Sequence, residues 1–334
     1  MTITDNRTVI RQSNIELLRI IAMSMIVIHH ILIYCFQKNI EGFYFLNSLV
    51  VGGVNLFTLI SGYFGIKLKW KSIINIISIT LFYSILSFLA TLLIYKEPIS
   101  VPIIVSTFFP IDSEAYWYVT CYFFLMLLSP LINTGLKRLS RSQLLFIMGA
   151  LVYINCFSSW IFQNAINPKG YTTMQLIFIY CIGYIIRNYI TVKRLNINKL
   201  VLGGVISYVI IALITPYAWR FFYYNNPFVV VFSICIFLFV MKFHFTNHFV
   251  NSFAKSMLAV YLIQEGLFGR KIYNTIYAFQ NEASTPETAA IIMLYFFGLF
   301  ILAFILEWVR LNVFNKLNNS LGIYLETRLN LSQS

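Results

Sequence analysis

The feature that most constrains this chain is the recurrence, from one end to the other, of apolar runs of about 17 to 25 residues nearly empty of charge. Such runs can be drawn at 15-36, 44-66, 73-95, 116-134, 144-162, 172-190, 199-218, 227-241, 252-268 and 289-309, the eighth and ninth being the weakest. As helices rising 1.5 Å per residue, runs of this length cross the ~30 Å of bilayer hydrocarbon. Charged residues make up 10% of the chain, against roughly 25% in a soluble domain, so no surface assembled from these runs can be made polar. The expected fold is an all-α integral membrane protein of about ten transmembrane helices. Residues 15-309 form its single membrane domain, 1-14 a cytoplasmic N-terminal segment, and 310-334 a cytoplasmic tail. In that tail Leu311, Phe314, Leu317, Leu321 and Tyr324 recur at helical spacing, as in an amphipathic helix on the interface.

The net charge of +13 would suggest nucleic-acid binding in a soluble chain, but here its placement argues against that partner. If the N-terminus is cytoplasmic, 18 of the 24 Lys and Arg fall in inner segments. Among them are Arg7, Arg11, Lys67, Lys69, Lys71, Lys255 and Arg310. The outer side receives Lys38, Lys96, Lys169, Arg220, Arg270 and Lys271. Losing one span would invert every later loop and mix the two classes, so the split supports ten spans with both termini inside. The first run is too long for a signal-peptide core and lacks a small-x-small cleavage site, so it is expected to remain as span 1. The two long outer segments, 96-115 and 269-288, carry Glu97, Asp112 and Glu114, and Glu282 and Glu287, and read as solvated loops. Cys35, Cys121, Cys156, Cys181 and Cys235 all fall inside spans without metal-ligand spacing, so they read as packing thiols and no metal is expected.

An ionisable residue inside a span costs at least ~2.5 kcal/mol unless paired or solvated, which makes it a pointer to function. In span 1, Arg19 and His30 are eleven residues apart, about 20° past three full turns. They therefore share one face, about 16 Å apart along the axis, through a stripe of Ala22, Met23 and Ile26, whereas His29 points about 80° away. Taken alone, Arg19 reads as a snorkelling residue paired with Glu16, and His30 as a packing histidine. Taken together, a cation and a potential base at two depths on one face suit a substrate path across the membrane.

Around this pair the sequence resembles the membrane-bound acyltransferase family 3, whose hallmark is an arginine, ten residues and a histidine on the first span. The resemblance continues in Gly53-Val54-Asn55-Leu56-Phe57-Thr58-Leu59-Ile60-Ser61-Gly62-Tyr63, at the family's Phe-Phe-x-x-Ser-Gly position. It continues further in Tyr116-Trp117-Tyr118 with Leu128-Ser129-Pro130, in Tyr180-Cys181-Ile182-Gly183, and in Val260-Tyr261-Leu262-Ile263-Gln264-Glu265. It thus covers nearly the whole chain in order. The histidine common in the last motif is Gln264 here, which hydrogen-bonds but does not titrate, and the adjacent Glu265 stands as its substitute.

The resemblance implies transfer of an acyl group, usually acetyl from cytoplasmic acetyl-coenzyme A, to a hydroxyl of a cell-envelope polysaccharide or its lipid-linked precursor. It also implies residence in the bacterial plasma membrane. Acetyl-coenzyme A is expected as the donor substrate and no cofactor is expected to stay bound. On this reading Arg19, Ser61, Gly62 and Lys69 would hold the donor, with Lys67 and Lys71 nearby. Trp117, Asn55 and Gln264 would hold the acceptor. His30 would act as general base or transient acyl carrier, with Glu265 orienting it. Each partner has a structural alternative. Trp117 suits an interfacial aromatic belt, Ser61-Gly62 a small-residue helix contact, and Asn55 a structural hydrogen bond. The rival function is a glycan transporter or flippase without transfer chemistry, which would also line a path with aromatics and sparse charge; no inverted internal repeat is visible in its favour.

Overall fold

The computed structural model describes residues 12–36, 42–96, 98–280 and 282–329. Arg7, Arg11, Lys38 and Glu97, which the charge and loop arguments used, lie outside them. The described residues are helical throughout their regular structure, with no strand among them. That is what lipid imposes on these sequences, because a helix satisfies every backbone donor and acceptor within its own segment.

Span 1 is Ser13–Phe36, its last turn a π-helix over Leu32–Phe36. Span 2, Phe43–Phe64, breaks at Val51-Gly52, and span 3 is Trp70–Tyr95. Spans 4 to 8 are Trp117–Arg138, Arg141–Phe162, Thr173–Tyr189, Ile197–Ile214 and Pro227–Val240. Span 9 comes in two pieces, His248–Phe253 and Met257–Glu265, joined by a 3-10 turn at Ala254–Ser256. Span 10 is Thr285–Leu329. Eight of these stretches, with span 4 counted from Glu114 and span 8 from Trp219, are long and apolar enough to cross a membrane. Span 6, one turn shorter than most, and the broken span 9 bring the number to about ten.

Local chemistry sets the helix starts. Ser140 and Gln143 form a reciprocal capping box at the head of span 5, while Thr172, Asn196, Asn226 and Asn247 accept backbone N–H bonds at the heads of spans 6 to 9. Inside span 4, Pro130 has no N–H to offer the carbonyl of Met126, and Ser129 Oγ donates to that oxygen instead at 2.7 Å.

Span 1 lies at the centre, packed on spans 2, 8 and 9. The tightest crossing is that of spans 2 and 6, where Gly62 and Gly183 let the two backbones touch. Spans 5, 7 and 10 form the periphery and turn side chains such as Phe146, Leu202 and Phe297 outward.

Three expectations change. The segment 96-115, read as a solvated loop, carries a helix at Val101–Phe108 and 3-10 turns at Pro110–Asp112 and Glu114–Tyr116. The segment 269-288 is not mainly a solvated loop. After Gly266 the chain forms an amphipathic helix, Leu267–Gln280, that buries Tyr273 and Ile276 against spans 1, 3, 9 and 10. The boundary drawn at residue 310 is not a break in the helix either. Span 10 runs unbroken through it and lies along span 3, with Phe314 against Phe82, Asn318 on Ser78 and Gly322 beside Lys71.

Candidate active site

Because spans 2, 4, 9 and 10 surround one face of span 1, that face borders a cavity of about 440 Å³ rather than lipid. Arg19, Met23, Ile26 and His30 all line it, as the helical phase requires. His29 does not; it is buried on the neighbouring face, its Nδ1 2.5 Å from Asn47 Oδ1. The cavity therefore has an Arg19 end and a His30 end, ~16 Å apart.

At the His30 end, His30 Nδ1 lies 2.8 Å from Glu265 Oε1, a close polar contact off the line of a hydrogen bond. The other oxygen of Glu265 accepts from Arg270 Nη2 at 2.6 Å, and the carboxylate is 2% exposed. The Arg270 guanidinium also lies over the Tyr34 ring, which packs against His30. In the neutral imidazole, a carboxylate beside Nδ1 favours the tautomer protonated there, which places the lone pair on Nε2. These three groups come from spans 1 and 9 and the helix Leu267–Gln280, and the sharp turn at Gly266 brings Arg270 back onto Glu265.

The Tyr116-Trp117-Tyr118 motif forms the side wall. Tyr116 OH donates to the Leu262 carbonyl and the Tyr118 N–H donates to Tyr261 OH, which ties the head of span 4 to span 9. Trp117 between them lines the cavity. It stacks on Tyr224 at 6.0 Å and 20°, with Tyr171 5.0 Å away. Asn55 stands one layer behind. Its amide donates to the Tyr224 carbonyl at 3.0 Å and accepts from Gln175, so it fixes the aromatic wall without lining the cavity.

At the other end, Arg19 Nη1 donates to both oxygens of Glu16 at 2.8 Å and still borders the cavity, so pairing and lining coexist. Ser61 lines it as well.

Besides Asn55, three expected site residues are not brought to the cavity wall. Gly62 is filled in by span 6: a Cβ on it would stand 2.2 Å from the Tyr180 carbonyl oxygen, so its smallness serves helix packing. Lys69 is exposed at the head of span 3 and off the cavity wall. Gln264 is fully buried and turned away, its Oε1 accepting from Tyr273 OH at 3.0 Å.

The structure adds Arg270, Tyr224, Lys255, Glu307 and Arg310. The last two had a sequence signal, an acid inside an apolar run with an arginine three residues on. Arg310 Nε and Nη2 donate to the two Glu307 oxygens at 2.7 Å each, and the arginine is 1% exposed.

A multi-pass membrane protein whose central helix carries a cation and a carboxylate-backed histidine at the two ends of one cavity is the class these features define. The chain belongs to acyltransferase family 3, matching the family described as "Acyltransferase domain" over residues 12–309, and this membership supports an acyltransferase function. Neither the comparison with curated proteins nor that with solved structures returned a match.

Proposed function

We propose that this protein moves an acyl group, acetyl in the simplest case, from cytoplasmic acyl-coenzyme A to a hydroxyl of a cell-envelope glycan or its lipid-linked precursor. The observation that carries the reading is the single cavity with Arg19 at one end and the Glu265-backed His30 at the other. The donor enters at the Arg19 end, where the planar guanidinium suits phosphate oxygens, and its extended arm runs along Met23 and Ile26 toward His30. The acceptor sugar approaches the His30 end beside the Trp117 and Tyr224 wall.

His30 Nε2 takes the proton of the acceptor hydroxyl as that oxygen attacks the thioester carbonyl. The new C–O bond forms, the C–S bond breaks, and the departing thiolate receives the proton back from the imidazolium. Glu265 stabilises the imidazolium while it exists, and Arg270 keeps Glu265 in place. On this reading the Arg19 end and both termini face the cytoplasm of a bacterial cell, and no cofactor stays bound between turnovers.

Purified protein with acetyl-coenzyme A and an envelope glycan should release free thiol in proportion to O-acetyl groups formed. A flippase would leave the thioester intact, and that result would overturn the reading. Comparing envelope O-acetyl content with and without the gene would identify the acceptor.

A further inference from the structure

We propose that Lys255 and Arg310 join Arg19 in a cradle for the phosphate groups of a nucleotide-bearing thioester donor, an assignment that rests on the acyl-transfer reading above. The sequence pointed to the lysines at 67, 69 and 71 for this task, but none of them borders the cavity. Two other cations do. Lys255 sits in the 3-10 turn Ala254–Ser256 that interrupts span 9, and the break sets its side chain at the cavity wall. It makes no ion pair among the described residues. Arg310 lines the same cavity from span 10, which packs on that turn.

The way Arg310 is held favours a ligand. Glu307 grips Nε and Nη2, and Tyr83 OH donates to Glu307 Oε2 at 3.2 Å, which fixes the carboxylate. Nη1 is left buried with no hydrogen-bond partner. An arginine confined on one edge and unsatisfied on the other is pre-organised for an anion.

The charge balance agrees. Three cations, Arg19, Lys255 and Arg310, line the cavity with two carboxylates, Glu16 and Glu307, and the excess is positive before any ligand arrives. The His30 end lies ~16 Å away, so a donor anchored here by its phosphates can still present a thioester to the imidazole.

The test compares two donors in detergent micelles without phospholipid: acetyl-coenzyme A, which carries the phosphates, and S-acetylpantetheine, which lacks them. The wild-type protein should prefer acetyl-coenzyme A in kcat/KM, and 3′,5′-ADP should compete with it. Lys255→Gln, at an exposed position, should erode that preference about tenfold or more, the size expected for one charge-assisted contact. The paired variant Glu307→Gln with Arg310→Gln, which leaves no lone buried charge, should erode it similarly. A preference that survives in both variants overturns the cradle while leaving the acyl-transfer reading standing. A wild-type protein that consumes neither donor overturns the reading itself. Competition by added phosphatidylglycerol with none from 3′,5′-ADP would assign the cradle to a lipid phosphate and overturn the donor assignment.

Discussion

Glu265→Gln keeps the size of the side chain and removes only its charge, and the structure shows what that does to His30. Glu265 now sets one oxygen 2.8 Å from His30 Nδ1, and its other oxygen accepts from Arg270 Nη2 at 2.6 Å. A glutamine has one oxygen and one NH2. The guanidinium cannot accept a hydrogen bond, so the oxygen goes to Arg270 and the NH2 faces Nδ1. His30 then accepts at Nδ1 and carries its proton on Nε2, the nitrogen that has to be basic. General-base catalysis contributes about 10²–10⁴-fold, and a wrong tautomer forfeits most of it, so kcat should fall by about that factor. The KM for the donor should hold, because the Arg19 end is ~16 Å away. Folding should survive, since Arg270, 43% exposed, can rehydrate once its partner is neutral, unlike a partner stranded in a fully buried pair. Thiol release measured against donor concentration separates kcat from KM, and a thermal melt in detergent checks the fold. A variant that keeps a tenth or more of the wild-type kcat refutes the tautomer argument.

Gly62→Ala should act on stability. Its Cβ would stand 2.2 Å from the Tyr180 oxygen where ordinary contact begins near 3.4 Å, so spans 2 and 6 must part by about 1.2 Å, at a cost of about 2 kcal/mol or more that a thermal melt would show. An unchanged melt with weaker donor binding would return Gly62 to the donor site. Arg19→Lys keeps the charge and loses the planar fork, so the donor KM should rise about tenfold with kcat little changed; wild-type kinetics would leave Arg19 only a topological role. Lys69→Cys should resist an impermeant thiol reagent in intact cells and react in inverted vesicles, and labelling in intact cells would reverse the proposed orientation.

The parts of this molecule legible in its sequence are those governed by local periodicity. Run length gave about ten helices, and the 3.6-residue repeat put Arg19 and His30 on one face and His29 on another, as the cavity shows. What stayed hidden depends on partners far along the chain. A glycine in a motif says that something comes close, but not that the Tyr180 backbone is what fills the space at Gly62. Gln264 and Glu265 are neighbours in sequence, yet one faces Tyr273 and the other His30, because consecutive helical residues diverge by about 100°. Lys255 reads in the sequence as one more inner positive charge; the turn that brings it to the cavity interrupts an apolar run without a proline or glycine to mark it. Arg270 belonged to a segment read as loop, since the polar face of Leu267–Gln280 dilutes the hydropathy that would have betrayed a helix.

The central claim is that one cavity joins a donor at the Arg19 end to an acceptor at the His30 end, with His30 as the proton carrier. The most direct test uses proteoliposomes of uniformly oriented protein, with labelled acetyl-coenzyme A only on the side exposing Lys69 and the acceptor glycan only on the other. Wild-type protein and His29→Ala should both place label on the glycan, and His30→Ala at matched insertion should place none. Equal loss in the two histidine variants, or undiminished transfer by His30→Ala, would contradict the account.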